Sequence, residues 1–301
     1  MDCIGSIVKH DGCMDLRQLE YVLAVADTLS FTRAAERCFV VQSALSHQIK
    51  SLEQELGLTL FARTSRRVEL TAAGTAFLPA ARASLDAAQR AVADAAAAVG
   101  QVRGTLTIGL IPTVTAIDMP AALGAMHREH PAVRIVVRSG ASDELAAAIR
   151  QGEVDVAVLG LPEQVHPDRV ESRVLARERH VAVLDAGHRL AGRKRLRLAD
   201  LARETFADFP AETPGRAQSD LAFAAAGVQR AVTFESSTAG LLVDLVGQGL
   251  AVALLPPAIV PALPGLATVA VSDGPVRVEH LAWARFNPSP ATTAFLELLP
   301  R

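Results

Sequence analysis

Residues 30–57 read SFTRAAERCFVVQSALSHQIKSLEQELG, two short helical patterns with a tight break between them. Ser30 stands where an N-cap belongs, just ahead of Phe31. The β-branched pair Val40 and Val41 then weakens helix. Beyond it Leu45, Ile49, Leu52 and Leu56 recur at spacings of 4, 3 and 4, one apolar stripe of a helix. The opposite side of its first two turns shows Gln42, Ser43, Ser46, His47 and Lys50. Those side chains have the length and hydrogen-bonding type that reach base edges and phosphates. Two helices joined by a short turn, the second polar at its N-terminal end, read as helix-turn-helix.

Upstream, Leu16, Leu19, Leu23 and Ala26 are spaced 3, 4 and 3, which predicts a first helix with one buried face. Downstream, Gly57 is placed to end the third helix in a left-handed conformation. Residues 58–70 then offer two short apolar pieces around a polar tip, a β-hairpin wing. Arg63, Arg66 and Arg67 cluster at that tip. Residues 14–71 carry seven basic and seven acidic side chains, so their distribution matters more than their sum. The third helix bears no acid before Glu53, and the wing bears three arginines. The alternative is that these arginines are a solvated face; beside a recognition helix, phosphate contact is favoured, and Arg33 joins the set. Cys38 reads as a small core residue at the end of the second helix.

Composition sets the outer limits. A chain of 301 residues with half of them apolar can build two domains or three. The net charge of −2 gives no global field for nucleic acid, so DNA contact must come from a local patch. The three cysteines all fall in the first 38 residues, which is no disulfide framework and fits a reducing cytoplasm. No apolar run has the length of a membrane span, and residues 1–13 lack the apolar core of a signal peptide. Helical periodicity begins only after Met14. Residues 1–13 therefore read as a disordered extension, or the result of an upstream start, and residues 14–71 as the DNA-binding domain.

Residues 72–100 form an alanine-rich helix. Leu78, Ala81, Leu85, Ala88, Val92, Ala95 and Val99 alternate at 3 and 4, a heptad seam for pairing two helices. Packing on its own domain is the alternative. Dimerisation is preferred because a reader of two half-sites needs a two-fold partner. Pro79 is expected to bend or unwind the first two turns.

The runs Met14-Asp-Leu-Arg-Gln-Leu-Glu-Tyr21, Ser30-Phe-Thr-Arg-Ala-Ala35, Gln42-Ser-Ala-Leu-Ser46, Leu56-Gly57, Leu60-Phe61 and Leu70-Thr71-x-x-Gly74 carry a resemblance. Over some sixty residues the chain resembles the amino-terminal domain of LysR-type transcriptional regulators. One position departs: the family's pattern has serine or threonine where this chain has Val41. The missing hydroxyl would cap the recognition helix and face a phosphate. The resemblance also implies that residues 72–100 act as a dimer linker.

After a hinge at 100–103 the pattern changes. Apolar strands at 105–110, 133–138 and 154–159 alternate with helices at 117–130 and 142–151, which predicts a parallel sheet covered on both faces. Further strands are expected at 170–175, 180–184, 205–208, 231–234, 252–255, 266–271 and 277–285. Helices are expected at 198–202, 217–226, 238–247 and 291–299. The fold class is α/β overall: a winged helix-turn-helix, a linker helix, and a two-subdomain effector-binding domain over 104–301 that resembles periplasmic solute-binding proteins. Subdomain I is assigned 104–162 and 266–301, and subdomain II 163–265.

Ligands of open α/β sheets sit off the carboxyl ends of strands, against helix N-termini. That rule selects Thr113 and Thr115 after the first strand, Ser142 after the second, Gly160 after the third, and Phe209, Pro210 and Ser237 from the second subdomain. The resemblance carries over Thr113, Ser142, Phe209 and Ser237 as effector contacts. Ser142 and Ser237 also sit where caps belong, and a hydroxyl there can serve both ends. None of these loops holds lysine or arginine, which favours a small or weakly charged ligand.

Enzyme motifs are missing: no G-x-S-x-G, no Walker loop and no H-E-x-x-H. His127 and His130 have metal-compatible spacing without a third ligand, so no metal and no cofactor is expected. No cysteine follows Cys38, which excludes the thiol-pair peroxide sensing of some family members. An architectural DNA-binding protein would not need a cleft-forming domain of this size, and a solute-binding protein would need a leader. The expected protein is a bacterial, cytoplasmic, nucleoid-associated regulator responsive to a small-molecule effector. Its expected partners are an operator with two-fold symmetry, further copies in a homodimer or homotetramer, and RNA polymerase.

Overall fold

The computed structural model describes residues 14–63, 67–260 and 263–299, and for Arg63 the backbone alone. The expectation for residues 1–13 falls outside this range, as does Arg66 at the wing tip. The chain packs as two units that part within one helix, after Val92.

In the first unit, α1 (Leu16–Thr28) starts at Asp15, whose carboxylate accepts the Gln18 amide at 2.7 Å while the Gln18 side chain accepts the Asp15 amide at 3.1 Å. This reciprocal box satisfies two orphan donors. The buried face of α1 centres on Leu19, Val22 and Val25, and Leu16 stays exposed. The expected stripe through Leu16 and Leu23 is therefore displaced, because Tyr21 and Ala24 also turn inward. Next, α2 (Phe31–Arg37) begins at Ser30, whose hydroxyl accepts the Arg33 amide at 3.3 Å. The break after it closes through Phe39 at φ 55°, with the Val40 amide donating back to Ala35 at 3.0 Å. Then α3 (Gln42–Leu56) buries Leu45, Ile49 and Leu52 completely and ends at Gly57, φ +65°. The wing pairs β1 (Phe61–Arg63) antiparallel with β2 (Val68–Leu70).

From the wing the chain enters α4 (Ala72–Ala97), which runs unbroken through Pro79. Its first half packs on the DNA-binding core through Phe77 and Leu78, Ala81 is buried, and Arg82 meets Asp27 at 3.2 Å. Leu85 and Ala88 are half-buried, and Val92 is exposed.

In the second unit, one sheet has the order β4-β3-β5-β13-β6. It is built from β3 (Gly104–Leu110), β4 (Val133–Ser139), β5 (Val156–Pro162), β6 (Glu171–Arg179) and β13 (Val276–Trp283). The first three are mutually parallel; β13 runs antiparallel between β5 and β6. On one face α5 (Met119–Glu129) and α9 (Pro290–Leu298) enclose Met126 and Phe295; on the other α6 (Ser142–Arg150) covers Leu145 and Ile149. The second sheet has the order β11-β7-β12-β8. It contains β7 (Val181–Asp185), β8 (Arg195–Leu196), β11 (Ala253–Leu255) and β12 (Leu266–Val271). A parallel pair, β9 (Thr205–Asp208) and β10 (Ala231–Glu235), joins it through a Phe206–Val252 bridge. Helices α7 (Pro214–Ala225) and α8 (Ala239–Gly247) cover this lobe.

The lobe boundaries differ from those expected at 163 and 265. Strand β6 stays in the first sheet because it pairs along nearly its whole length with β13, and β12 stays in the second because it pairs with β7. The crossings fall at His180 and at 272–275, and the His180 amide donates to the Pro275 carbonyl at 2.9 Å, tying them together. The strand expected at 170–175 is thus found as β6, but in the first lobe and not the second, because pairing with β13 is a long-range contact that its own sequence does not show.

Candidate functional site

The first candidate surface is the outer side of α3. Gln42, Ser43, His47 and Lys50 are exposed there, with Ser46 half-buried beside them. Residues spaced four apart share a helix face, so Gln42, Ser46 and Lys50 align, as do Ser43 and His47. Val41 begins α3 with no side-chain cap and is largely exposed. Arg33 lies exposed on α2 with its guanidinium donating to the Thr28 carbonyl. Arg67 is exposed, 3.9 Å from Glu69.

The wing is fixed to α3 and α4 by a single peptide unit. The Glu53 carboxylate accepts the amides of Leu60 at 2.7 Å and Phe61 at 3.1 Å. The Leu60 carbonyl accepts the Thr71 amide at 3.0 Å, and the Thr71 hydroxyl accepts the Gly74 amide at 2.9 Å. A Cβ on Gly74 would stand 2.2 Å from that same carbonyl. The Thr71-x-x-Gly74 spacing therefore has a steric and a capping cause.

The second candidate is a cavity of about 590 Å³ between the two lobes of the second unit. Strand-end loops and helix starts of both lobes line it, as the carboxyl-end rule requires. Thr113, Ser142, Gly160, Phe209, Pro210 and Ser237 all border it. Thr115 does not: its amide and hydroxyl go to Glu279 behind the wall. Neither serine is an N-cap. Ala141 precedes α6 and Thr238 precedes α8. The Ser142 hydroxyl instead accepts the Gly160 amide and donates to the Gly160 carbonyl, each at 3.0 Å. A Cβ on Gly160 would meet the Ile111 terminal methyl at 2.8 Å and the Arg277 stem at 3.2 Å, so a side chain there would push on both.

Three wall residues lie outside the loops. Arg277 comes from β13, is buried, and donates to the Thr113 carbonyl at 2.7 Å and the Thr115 hydroxyl at 3.0 Å. It also contacts the carboxylates of Glu178 and of fully buried Glu279, which accepts the Thr115 and Ala116 amides at 3.0 and 3.2 Å. Gln218 on α7 donates to the Gly160 carbonyl at 3.2 Å across the lobes. His180 sits at the crossing itself. Burial, and secondarily the charge of Arg277, pushes its pKa down to about 3, against a small upward pull from the Leu254 carbonyl. The ring is neutral at physiological pH. Phe209 packs over Gly215, where an added Cβ would stand 3.1 Å from its ring, and Thr213 caps α7. The signal for Arg277 was present in the run Val276-Arg-Val-Glu-His-Leu281: a charge inside a central strand has to be paired.

Residues 16–75 match the bacterial regulatory helix-turn-helix protein model of the lysR family, and residues 100–301 match the LysR substrate binding domain. The HTH-type transcriptional regulator ShiR of Corynebacterium glutamicum is 36% identical over 245 residues, 80% of this chain and 82% of the relative. The Hca operon transcriptional activator HcaR of Escherichia coli is 34% identical over 245 residues, 81% and 82% of the two chains. Among solved structures, full-length OxyR from Pseudomonas aeruginosa superposes with TM-score 0.72 at 26% identity, covering 95% of this chain and 94% of that one. CbnR bound to its target DNA gives 0.67 at 27% identity, covering 95% and 98%.

Proposed function

The chain belongs to the LysR family of bacterial transcriptional regulators, with a helix-turn-helix DNA-binding domain and a substrate-binding domain, and we propose that it couples a small molecule in the inter-lobe cavity to operator binding. The observation that carries this reading is that strand ends and helix starts of both lobes converge on one cavity. A ligand held from both sides binds one lobe arrangement better than another, and only such a difference shifts an equilibrium.

On the DNA side, we assign base-edge contact to Gln42, Ser43, Ser46 and His47, and phosphate contact to Lys50, Arg33, Arg63, Arg66 and Arg67. Pairing along the α4 seam of Leu78, Ala81, Leu85, Ala88 and Val92 gives a homodimer that reads two half-sites. Assembly to a homotetramer, contact with RNA polymerase and residence with DNA in the cytoplasm complete the reading. The domain division goes with it: reading unit 14–71, linker helix 72–100, effector domain from 104.

Footprinting upstream of the chain's own gene and of neighbouring promoters tests it, with and without metabolites that raise the melting temperature. The expected result is one protected site with two-fold symmetry whose length changes with a stabilising metabolite. Protection spread uniformly over any DNA would overturn the reading in favour of an architectural protein.

A further inference from the structure

The cavity wall contains buried polar atoms that find no partner within the protein. One ring nitrogen of His180 turns toward the Leu254 carbonyl; its other ring nitrogen, Oε1 of Gln218 and Nε of Arg277 are in this position, and all three residues are more than nine-tenths buried. Buried polar groups are ordinarily paired. Three of them on one cavity specify what would fill it.

The polarities are readable. Gln218 Oε1 accepts, since its amide nitrogen is already donating to Gly160. Arg277 Nε donates, since its two terminal nitrogens are taken by Thr113, Thr115, Glu178 and Glu279. A neutral imidazole whose N–H faces the Leu254 carbonyl keeps its other nitrogen as an acceptor. The matching ligand therefore carries at least one hydroxyl or N–H and at least one carbonyl-type oxygen.

The charges are readable too. Arg277 is the one lysine or arginine among the described lining residues. It is opposed by Glu178 and Glu279 in direct contact, and Glu144 on the lining brings a third carboxylate. Glu144 and Asp143 also occupy the first turn of α6, where the helix dipole would otherwise attract an anion. An anionic ligand would enter a field already negative.

We propose that the effector is an uncharged small molecule bearing both a hydrogen-bond donor and a carbonyl-type acceptor, a hydroxyamide or hydroxyketone in class, recognised by His180, Gln218 and Arg277. This rests on the ligand-cavity reading above and narrows it to a ligand class. A carboxylate of the same skeleton is rejected, because the one cation of the described lining, Arg277, is already paired with Glu178 and Glu279 behind the wall, and Glu144 on the lining repels it.

The test is thermal shift and calorimetric titration of the full-length protein with matched pairs differing in charge: 4-hydroxybenzamide against 4-hydroxybenzoate, lactamide against lactate, and gluconamide against gluconate. At least one neutral member is expected to raise the melting temperature while its carboxylate twin does not. The rise should vanish in His180→Phe and in Gln218→Met; circular dichroism identifies any variant that has not folded, and the other then decides. Carboxylates that stabilise where their neutral twins do not would overturn the ligand class and leave the cavity reading standing. A neutral ligand that stabilises both variants as well as the parent would overturn the assignment of the residues. No response from either member of any pair would overturn the ligand class and count against the cavity as an effector site.

Discussion

Ser142 and Gly160 hold each other through two hydrogen bonds of 3.0 Å, the Gly160 amide donating to the serine oxygen and the serine hydroxyl donating to the Gly160 carbonyl. One side chain thereby fixes the start of α6 against the end of β5. Replacing it by alanine leaves a buried amide unpaired, a loss of about 1–3 kcal/mol. Urea unfolding of Ser142→Ala should show this as a lower midpoint with unchanged slope. An unchanged midpoint would mean the pair contributes nothing.

Gly74→Ala is expected to damage the DNA-binding domain far more than its size suggests. The new methyl would have to displace the Leu60 carbonyl, backbone already bonded to Thr71, from 2.2 Å. Overpacking against backbone sits at the upper end of its usual range, about 3 kcal/mol. Melting of the variant should fall by many degrees, and gel shifts should show weakened DNA binding. Parent-like melting would remove the steric account of this glycine.

Val41→Ser should act in the opposite direction. The α3 N-terminus has no side-chain acceptor, and Val41 is 68% exposed, so its removal leaves no cavity. A capping hydroxyl is worth about 1 kcal/mol. Paired melts should show a higher melting temperature, or gel shifts tighter operator binding. If both stay level or fall, the uncapped N-terminus is not a weakness.

Stability should depend on pH through His180. Its folded pKa of about 3 lies below the value near 6.5 of an unfolded chain. Below 6.5 the unfolded chain takes up a proton that the folded ring refuses. The contribution is therefore complete above 6.5 and is lost as pH falls toward 3. By pH 5 this amounts to roughly 2 kcal/mol. His180→Phe should lose that much less stability than the parent between pH 7.5 and pH 5 in parallel urea titrations. Equal losses in both would place the acid sensitivity elsewhere.

The fold was legible wherever one local pattern decided it. The stripe Leu45, Ile49, Leu52 and the terminal Gly57 defined α3 to the residue. The apolar run of β5 and the strand-end rule brought six of seven chosen loop residues to one cavity. Thr115 was chosen but does not border the cavity, because its position on the loop says nothing of Glu279, 164 residues away. His180, Gln218 and Arg277 were missed for the same reason: each becomes part of the wall only through pairing across strands or lobes. The displaced face of α1 and the placement of β6 share another cause. Half-buried surfaces carry mixed residues, and their partners, not their periodicity, settle which side is covered.

Leu60 has a mechanical consequence. Its amide is fixed to α3 by Glu53 and its carbonyl to the start of α4 by Thr71, with Gly74 pressed beneath. The joint between the reading helix and α4 therefore has no slack to absorb rotation. In a dimer paired along α4, the separation and phase of the two reading helices are then set by α4 as a gauge, 26 residues or about 39 Å long. In such a dimer, one residue inserted after Ala83, ahead of Leu85, would turn the reader by about 100° against the seam that follows and advance it by about 1.5 Å. Half-site spacing is in this sense encoded in the length of a helix that touches no base.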